Sequence, residues 1–233
     1  MKQNRRINFE INPTLRCNLK CPNCNRLCHL TPKWANDSDM TVEQVERFVA
    51  ELRGGPVQAK RVKVAGGEPL LHPELGEILG VLLAGVTEGL IEKIKIDSNG
   101  TLPKLHIEHP ALRWSGRKPA KKVHLPTLWS PTDLNLPTSY PCSMPKACGI
   151  SLDNRGYLPC SMAISLVRTG VVGPEHYCDT FNARWNFHEI CPHCVFAAPE
   201  AWRKAYCKPL NKITSGEKLP TATWAEALQY AES

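Results

Sequence analysis

The chain has 233 residues and a formal charge of +7, and 42% of its residues are hydrophobic; a chain of this length can bury a full core as one large domain or as a domain with an appendage. Its longest uncharged apolar run, Ile78 to Val86, falls far short of the roughly 20 residues that span a bilayer, and Met1 to Ile7 lacks the apolar stretch of a secretion signal, so a cytoplasmic chain without membrane contact is expected. In that setting its eleven cysteines argue against a disulfide framework and for metal.

Apolar and polar residues alternate from Ile7 to Ile11 and predict a first strand. Cys17, Cys21 and Cys24 follow in a C-x3-C-x2-C run. Three thiolates on one short loop suit three irons of a cubane cluster, each taking one sulfur ligand, and leave the fourth iron open as a catalytic site requires. Closely spaced cysteines also make zinc knuckles, so context decides. Cys28 as a fourth ligand would close the cluster, so it is read as a bystander thiol; His29 is read as structural.

A capping box of Thr41 and Gln44 predicts a helix start, with Val42, Val45, Val49 and Leu52 on one face, Phe48 beside them, and Gly54 and Gly55 as the end. A second strand, Arg61 to Ala65, runs into Gly66, Gly67, Glu68 and Pro69. The two glycines are expected to let a ligand approach the backbone, and Glu68 to receive an ammonium group. An apolar helix is expected over Glu74 to Leu90, and a third strand over Ile94 to Asp97, ending in Ser98, Asn99 and Gly100. Asp97 is read as a polar anchor turned inward or as a partner of its own turn. Three strand–helix units with polar residues at each strand end describe one edge of a parallel sheet.

This ordered set, over about the first hundred residues, resembles the radical S-adenosylmethionine (SAM) superfamily. The resemblance implies a [4Fe-4S] cluster on Cys17, Cys21 and Cys24, with SAM chelating the open iron. It also implies that Gly66, Gly67, Glu68 and Pro69 receive the SAM amino group and that Ser98 or Asn99 lies near its ribose. Asn23 stands where the family often has an aromatic residue against the adenine. The implied activity is reductive cleavage of SAM to a 5′-deoxyadenosyl radical, which removes hydrogen from a substrate, with electrons from an external donor such as flavodoxin or ferredoxin.

Only some forty residues separate Gly100 from Cys142. A complete barrel needs about 30 residues per strand–helix unit, so the expected class is α/β: a truncated parallel β/α barrel with a small Cys-rich C-terminal extension folding over its open side. Three or four strands are expected, the last at Lys122 to Leu125. Arg113, Arg117, Lys118, Lys121 and Lys122, with Trp114 among them, read as a basic loop, either a solvated face or a site for a phosphate backbone or an acidic peptide. The formal charge overstates the basicity: a cubane held by three thiolates carries about −1 and by four about −2, so two or three clusters would bring the total to roughly +3 or +4.

In the second half, Asp153 to Gly156 is a turn signal between two short strand-like runs. The hairpin would bring Cys148 and Cys160 to one metal centre, with Cys142, Cys178, Cys191, Cys194 and Cys207 as further thiols. This half resembles the SPASM and twitch extensions of many radical SAM enzymes, which implies one auxiliary [4Fe-4S] cluster or two. The alternative is a zinc ribbon on Cys160, Cys178, Cys191 and Cys194, with His188 or His193 substituting. The division expected is a core over 1–125, a cluster domain over 126–215 and a terminal helix over 216–233. A bulky substrate, a peptide or protein, is expected first and a nucleotide or nucleic acid second. From another class, a non-catalytic zinc module binding nucleic acid would explain the cysteine pairs and charge but not the strand-end motifs.

Overall fold

Alternation from Ile7 to Ile11 belongs to a longer strand, β1 (Arg5–Thr14), whose Phe9 and Ile11 lie in the main apolar core while Glu10 and Asn12 are buried on the opposite face. The computed structural model describes residues 5–21, 24–28, 37–116, 130–140, 142–199, 201 and 222–232. Helix α1 (Val42–Gly54) begins at the expected capping box, with Gln44 N donating to Thr41 Oγ1 at 3.4 Å and Thr41 N to Gln44 Oε1 at 2.9 Å. It buries Val45, Phe48, Val49 and Leu52. Strand β2 (Val57–Gly66) is longer at its start than the sequence suggested; α2 (Leu75–Thr87) and β3 (Ile94–Ser98) follow.

Strand β4 (Leu112–Gly116) pairs parallel with β3. This corrects one expectation: Arg113 and Trp114 belong to a strand, not a basic loop. Leu112 and Trp114 alternate with Arg113 and so reach the apolar core, and the free edge of β3 supplies the pairing that sequence alone does not reveal. The strand expected at 122–125, and Arg117, Lys118, Lys121 and Lys122, lie outside the described residues.

The hairpin of β5 (Ile150–Asp153) and β6 (Gly156–Leu158) forms at the expected turn, where Arg155 N donates to Asp153 Oδ1 at 2.9 Å. It does not fold over the open side. Strand β5 joins the sheet parallel to β1, with Phe9 opposite Ile150 and Ile11 opposite Leu152, giving the order β4-β3-β2-β1-β5-β6. The reason is that β1 has two edges and β2 uses only one; an apolar strand start at Ile150 satisfies the other. At Gly149, φ is +99° and an added Cβ would lie 2.0 Å from Asn8 O, so only glycine admits this approach.

Short helices α3 (Met144–Ala147), α4 (Ala163–Arg168) and α5 (Phe187–Ile190) and the terminal α6 (Ala222–Glu232) complete the described elements. Two large apolar clusters result, besides a small one around Leu15 and Cys28. The larger lies between the sheet and α1 and α2, with Phe9, Phe48 and Phe181 meeting edge to face. The smaller gathers Leu27, Leu158, Met162, Ile164, Leu166 and Trp224. No described helix is long and apolar enough to cross a membrane.

The sheet's other face is polar. Glu10 pairs with Lys63 and with Arg26, Lys63 lies 3.8 Å from Asp97, Lys95 lies 3.0 Å from Asp97, and Ser115 Oγ donates to Asp97 Oδ1 at 2.8 Å. Asp97 thus turns inward rather than onto its own turn. Burial pushes its pKa up, but the bonds from Lys95 and Ser115 and the charge of Lys63 outweigh burial, so its carboxyl ends below the usual range.

Candidate active site and a second cysteine centre

Strand β1 ends at Thr14, and the chain then threads beneath the end of β2. Gly67 N donates to Thr14 O at 2.9 Å and Glu68 N to Arg16 O at 2.8 Å. An added Cβ would lie 2.1 Å from Thr14 O at Gly66, where φ is +109°, and 2.2 Å from Arg16 O at Gly67. The glycine pair is therefore demanded by the backbone leading into Cys17, a reason that stands independently of any ligand. Arg16 anchors the same segment with forked bonds to Asp39 and a 2.8 Å bond to Leu71 O.

Beyond it, Cys24 N donates to Cys21 O at 3.1 Å and Leu27 N to Cys24 O at 3.3 Å, so successive tight turns gather the cysteines. Leu27 is buried at φ +54°, a left-handed conformation that costs a non-glycine residue about 1–3 kcal/mol. Pro22, Asn23 and His29 lie outside the described residues. Burial raises the thiol pKa of Cys17, as do the charges of Cys24 and Glu68; Cys21 is raised by burial and then by Cys24 and Cys17. Cys28, buried against Leu15, Cys17 and Cys24, is pushed well up by its hydrogen bond to Cys24, then by burial and the charges of Cys24 and Cys17, while Arg168 pulls it down.

Cys24 thus opposes ionisation of Cys17 and Cys21, and Cys17 that of Cys21, and an iron core is what removes that opposition. Among the described residues no three His, Cys, Asp or Glu side chains converge on a single metal ion. A cubane does not ask for that, since it takes its thiolates on separate irons. The donor set therefore fits a cubane better than one zinc.

The carboxyl ends of β2 and β3 complete the mouth. Glu68 is fully buried and accepts Leu70 N at 3.1 Å and Asn99 N at 2.6 Å, tying the two strand ends together. Pro69 opens the short 3-10 turn Pro69–Leu71. Asn99 Nδ2 donates to Asn18 Oδ1 at 2.8 Å and reaches Cys17 Sγ at 4.0 Å. Ser98 is buried and its hydroxyl accepts Gly100 N at 3.0 Å, so of the two expected residues Asn99 stands beside the cysteines.

A second centre lies beyond β6. Cys142, Cys160, Cys191 and Cys194 line one apolar pocket together with Met144, Pro159 and other residues. Burial pushes Cys160 up to about 12, with further contributions from Cys142 and Cys191; Cys191 rises to about 11 by burial and then Cys142. Cys194 is raised well above its ordinary value by burial and by the other three. Cys148 and Cys178 do not line this pocket. Cys148 N caps α3 through Met144 O, and Cys178 bridges to Tyr157. Nor do the histidines line it: His188 Nδ1 meets Tyr140 OH at 3.0 Å. Cys207 lies outside the described residues.

Side chains that sequence reasoning missed join the centres. Arg26 donates to Ser161 O at 2.7 Å and pairs with Glu10; Asn25 Nδ2 reaches Met162 Sδ at 3.9 Å; the Ser165 hydroxyl donates to Asn25 O. A charged Glu10 amid the apolar positions of β1 was the available signal, since a buried carboxylate requires a cation.

Residues 11–112 match the model of the Radical SAM superfamily. The chain is similar to GTP 3',8-cyclase 1 of Mycobacterium tuberculosis, 34% identical over 88 residues, which cover 37% of this chain and 23% of that protein. It is also similar to GTP 3',8-cyclase of Chlorobaculum tepidum, 36% identical over 89 residues, covering 38% and 24%. The chain thus spans about a quarter of the length of these curated relatives. Among solved structures, SuiB of Streptococcus suis, bound to the precursor peptide SuiA or to SAM, gives a TM-score of 0.32 at 23% identity, over 44% of this chain and 20% or 21% of that one. The cysteine trio and the three strand ends that frame it all lie within the matched residues 11–112.

Proposed function

We propose that the chain is a radical SAM enzyme that abstracts hydrogen from a bulky substrate, and the observation that carries this is the meeting of Cys17, Glu68 and Asn99 at three adjacent strand ends. Cys17, Cys21 and Cys24 would hold the [4Fe-4S] cluster. The cluster and SAM, when bound and reduced, supply a 5′-deoxyadenosyl radical. The protein's part is placement: Glu68, with its neighbour Pro69, would present a buried carboxylate to the SAM ammonium, and Asn99 would orient the ribose side.

A second [4Fe-4S] cluster is assigned to Cys142, Cys160, Cys191 and Cys194, which line one apolar pocket and make a closed four-sulfur set of the kind an electron-carrying cluster uses. Cys148, Cys178 and Cys207 are left without a ligand role. The domain division at about 125 and 215 stays a proposal: Leu158, Ile164 and Ile190 form a second apolar cluster, which Leu27 and Trp224 join from either side of that division. Electrons come from an external donor such as flavodoxin or ferredoxin.

The substrate read first is a peptide or protein, on the likeness of the second half to SPASM and twitch extensions. A nucleotide is the second reading. What favours it is a row of like charges, Lys63, Lys95 and Arg113, directly opposite one another on β2, β3 and β4. Like charges so placed destabilise a sheet, and Glu10 and Asp97 answer only part of them.

Anaerobic incubation of the reconstituted chain with SAM and a strong reductant should release 5′-deoxyadenosine. No release from iron-loaded protein would overturn the enzyme reading. Inhibition by tripolyphosphate that weakens as salt rises and is lost in Lys95→Gln/Arg113→Gln would favour the nucleotide. Salt-insensitive stimulation by a peptide would favour the first reading.

A further inference from the structure

A closed ring of hydrogen bonds stands just beyond the end of β3. Asn99 Nδ2 donates to Asn18 Oδ1 at 2.8 Å, Asn18 Nδ2 donates to the Thr101 hydroxyl at 2.7 Å, and that hydroxyl donates to Asn99 Oδ1 at 2.6 Å. Thr101 N also donates to Asn99 Oδ1, at 2.9 Å. The Asn99 backbone is held separately, by its N–H on Glu68 Oε2 at 2.6 Å.

The ring admits one arrangement of its two amides. A backbone N–H can only donate, so the Asn99 atom that faces Thr101 N is the oxygen, and the edge that turns to Asn18 is the NH2. Asn18 then presents its oxygen to Asn99 and its NH2 to Thr101, which leaves the Thr101 hydroxyl proton for Asn99 Oδ1. Each side chain donates to the next around the circle, the pattern in which hydrogen bonds strengthen one another. Asn99 Oδ1 already accepts two hydrogens, and Nδ2 has one of its two on Asn18. Its second faces Cys17 Sγ, 4.0 Å from Nδ2. An Asn99 amide turned over would set an oxygen against that sulfur instead.

We propose that Asn18 and Thr101 are positioning residues for the amino-terminal cysteine site: they fix Asn99 with its N–H edge on the Cys17 sulfur, and that edge makes a cluster held there easier to reduce. This rests on the radical SAM reading above. The positive end of an N–H beside a ligand sulfur stabilises the negative charge gained on reduction and so raises the potential. The step assisted is uptake of one electron from the external donor, with no bond or proton changing place in the ring. Asn18 and Thr101 are both exposed, so substitutions there leave the core intact.

The test is the potential of the cluster whose EPR signal SAM alters, measured in the full iron-loaded chain with iron and sulfide counted. Thr101→Val keeps the backbone N–H and removes the hydroxyl link; Asn18→Ala opens the ring on the other side. Each should show about a threefold lower ratio of reduced to oxidised cluster at a fixed potential, about 28 mV for one electron. Thr101→Ser, which keeps the hydroxyl, should hold the native value. In an Asn99→Ala background neither Asn18→Ala nor Thr101→Val should add to the shift that Asn99→Ala itself causes, because both act through that amide. An unchanged potential in Asn18→Ala and Thr101→Val at full iron content would overturn the positioning role alone, as would shifts that persist undiminished in the Asn99→Ala background. A native chain that takes up no cluster on Cys17, Cys21 and Cys24 would overturn the function and this inference together.

Discussion

The two cysteine centres differ in how they treat their sulfurs. In the amino-terminal loop three half-buried thiols stand at the ends of three parallel strands, beside a fully buried carboxylate and an amide. The carboxyl-terminal pocket has four thiols, three of them buried, lined by Met144, Pro159, Phe187, Ile190 and Ala197. An open set with polar neighbours suits chemistry at the metal, and a closed apolar set suits electron transfer or structure. On the proposed function, the contrast means that one chain would use the same ligand type for both purposes by changing the number of donors and the polarity around them.

Breaking the open site has the largest expected effect. Cys24→Ser should cut 5′-deoxyadenosine formation by about a hundredfold or more, close to 3 kcal/mol in barrier, while the second centre keeps its own iron, about four atoms. Anaerobic turnover with parallel iron analysis checks it. Cys194→Ser should do the reverse: the second centre's iron is lost, and SAM cleavage without substrate falls by less than about threefold, under 1 kcal/mol.

Next in size is Glu68→Gln. Both carboxylate oxygens accept backbone N–H groups, from Leu70 and Asn99, and the amide would turn a donor towards one of them. Bonds to charged groups are worth about 1.5–3 kcal/mol, so SAM affinity in an equilibrium binding assay should fall about tenfold or more.

The pH response sharpens the comparison further. Burial holds the folded Cys160 thiol at about 12 and Cys191 at about 11, against 9.0 as the ordinary value. Thiols with a raised folded pKa stabilise the metal-free chain fully below pH 9, and that contribution is lost as pH climbs from 9 towards 12, because the unfolded chain ionises first. The unfolding temperature of metal-free protein should therefore fall across that window, and that of loaded protein, with its thiolates already formed, should fall less. The smallest effect is expected from Cys28→Ala, which removes a buried bystander and should leave 5′-deoxyadenosine formation within about threefold.

Local signals carried much of this into the sequence. Thr41 and Gln44 announced α1, Asp153 to Gly156 announced the hairpin, and Cys17, Glu68 and Asn99 announced the strand ends that meet. What stayed hidden depends on partners far along the chain. Pairing of β5 with β1 joins residues some 140 positions apart, and Ile150 to Asp153 carries no mark of which edge it will meet. The choice of Cys142 rather than Cys148 or Cys178 for the second pocket follows from where α3 and α5 bring their ends, which spacing does not encode. The close backbone neighbours of Gly66 and Gly67 were not legible, because a close backbone neighbour and a close ligand leave the same trace in sequence.

The most direct test of the central claim, an open iron held by Cys17, Cys21 and Cys24 that SAM occupies, is EPR of the reduced Cys194→Ser chain, which keeps only that cluster, before and after adding SAM. Coordination at the open iron should shift the signal, and Cys17→Ser in the same background should abolish it. A four-iron signal that SAM leaves unchanged would contradict the account.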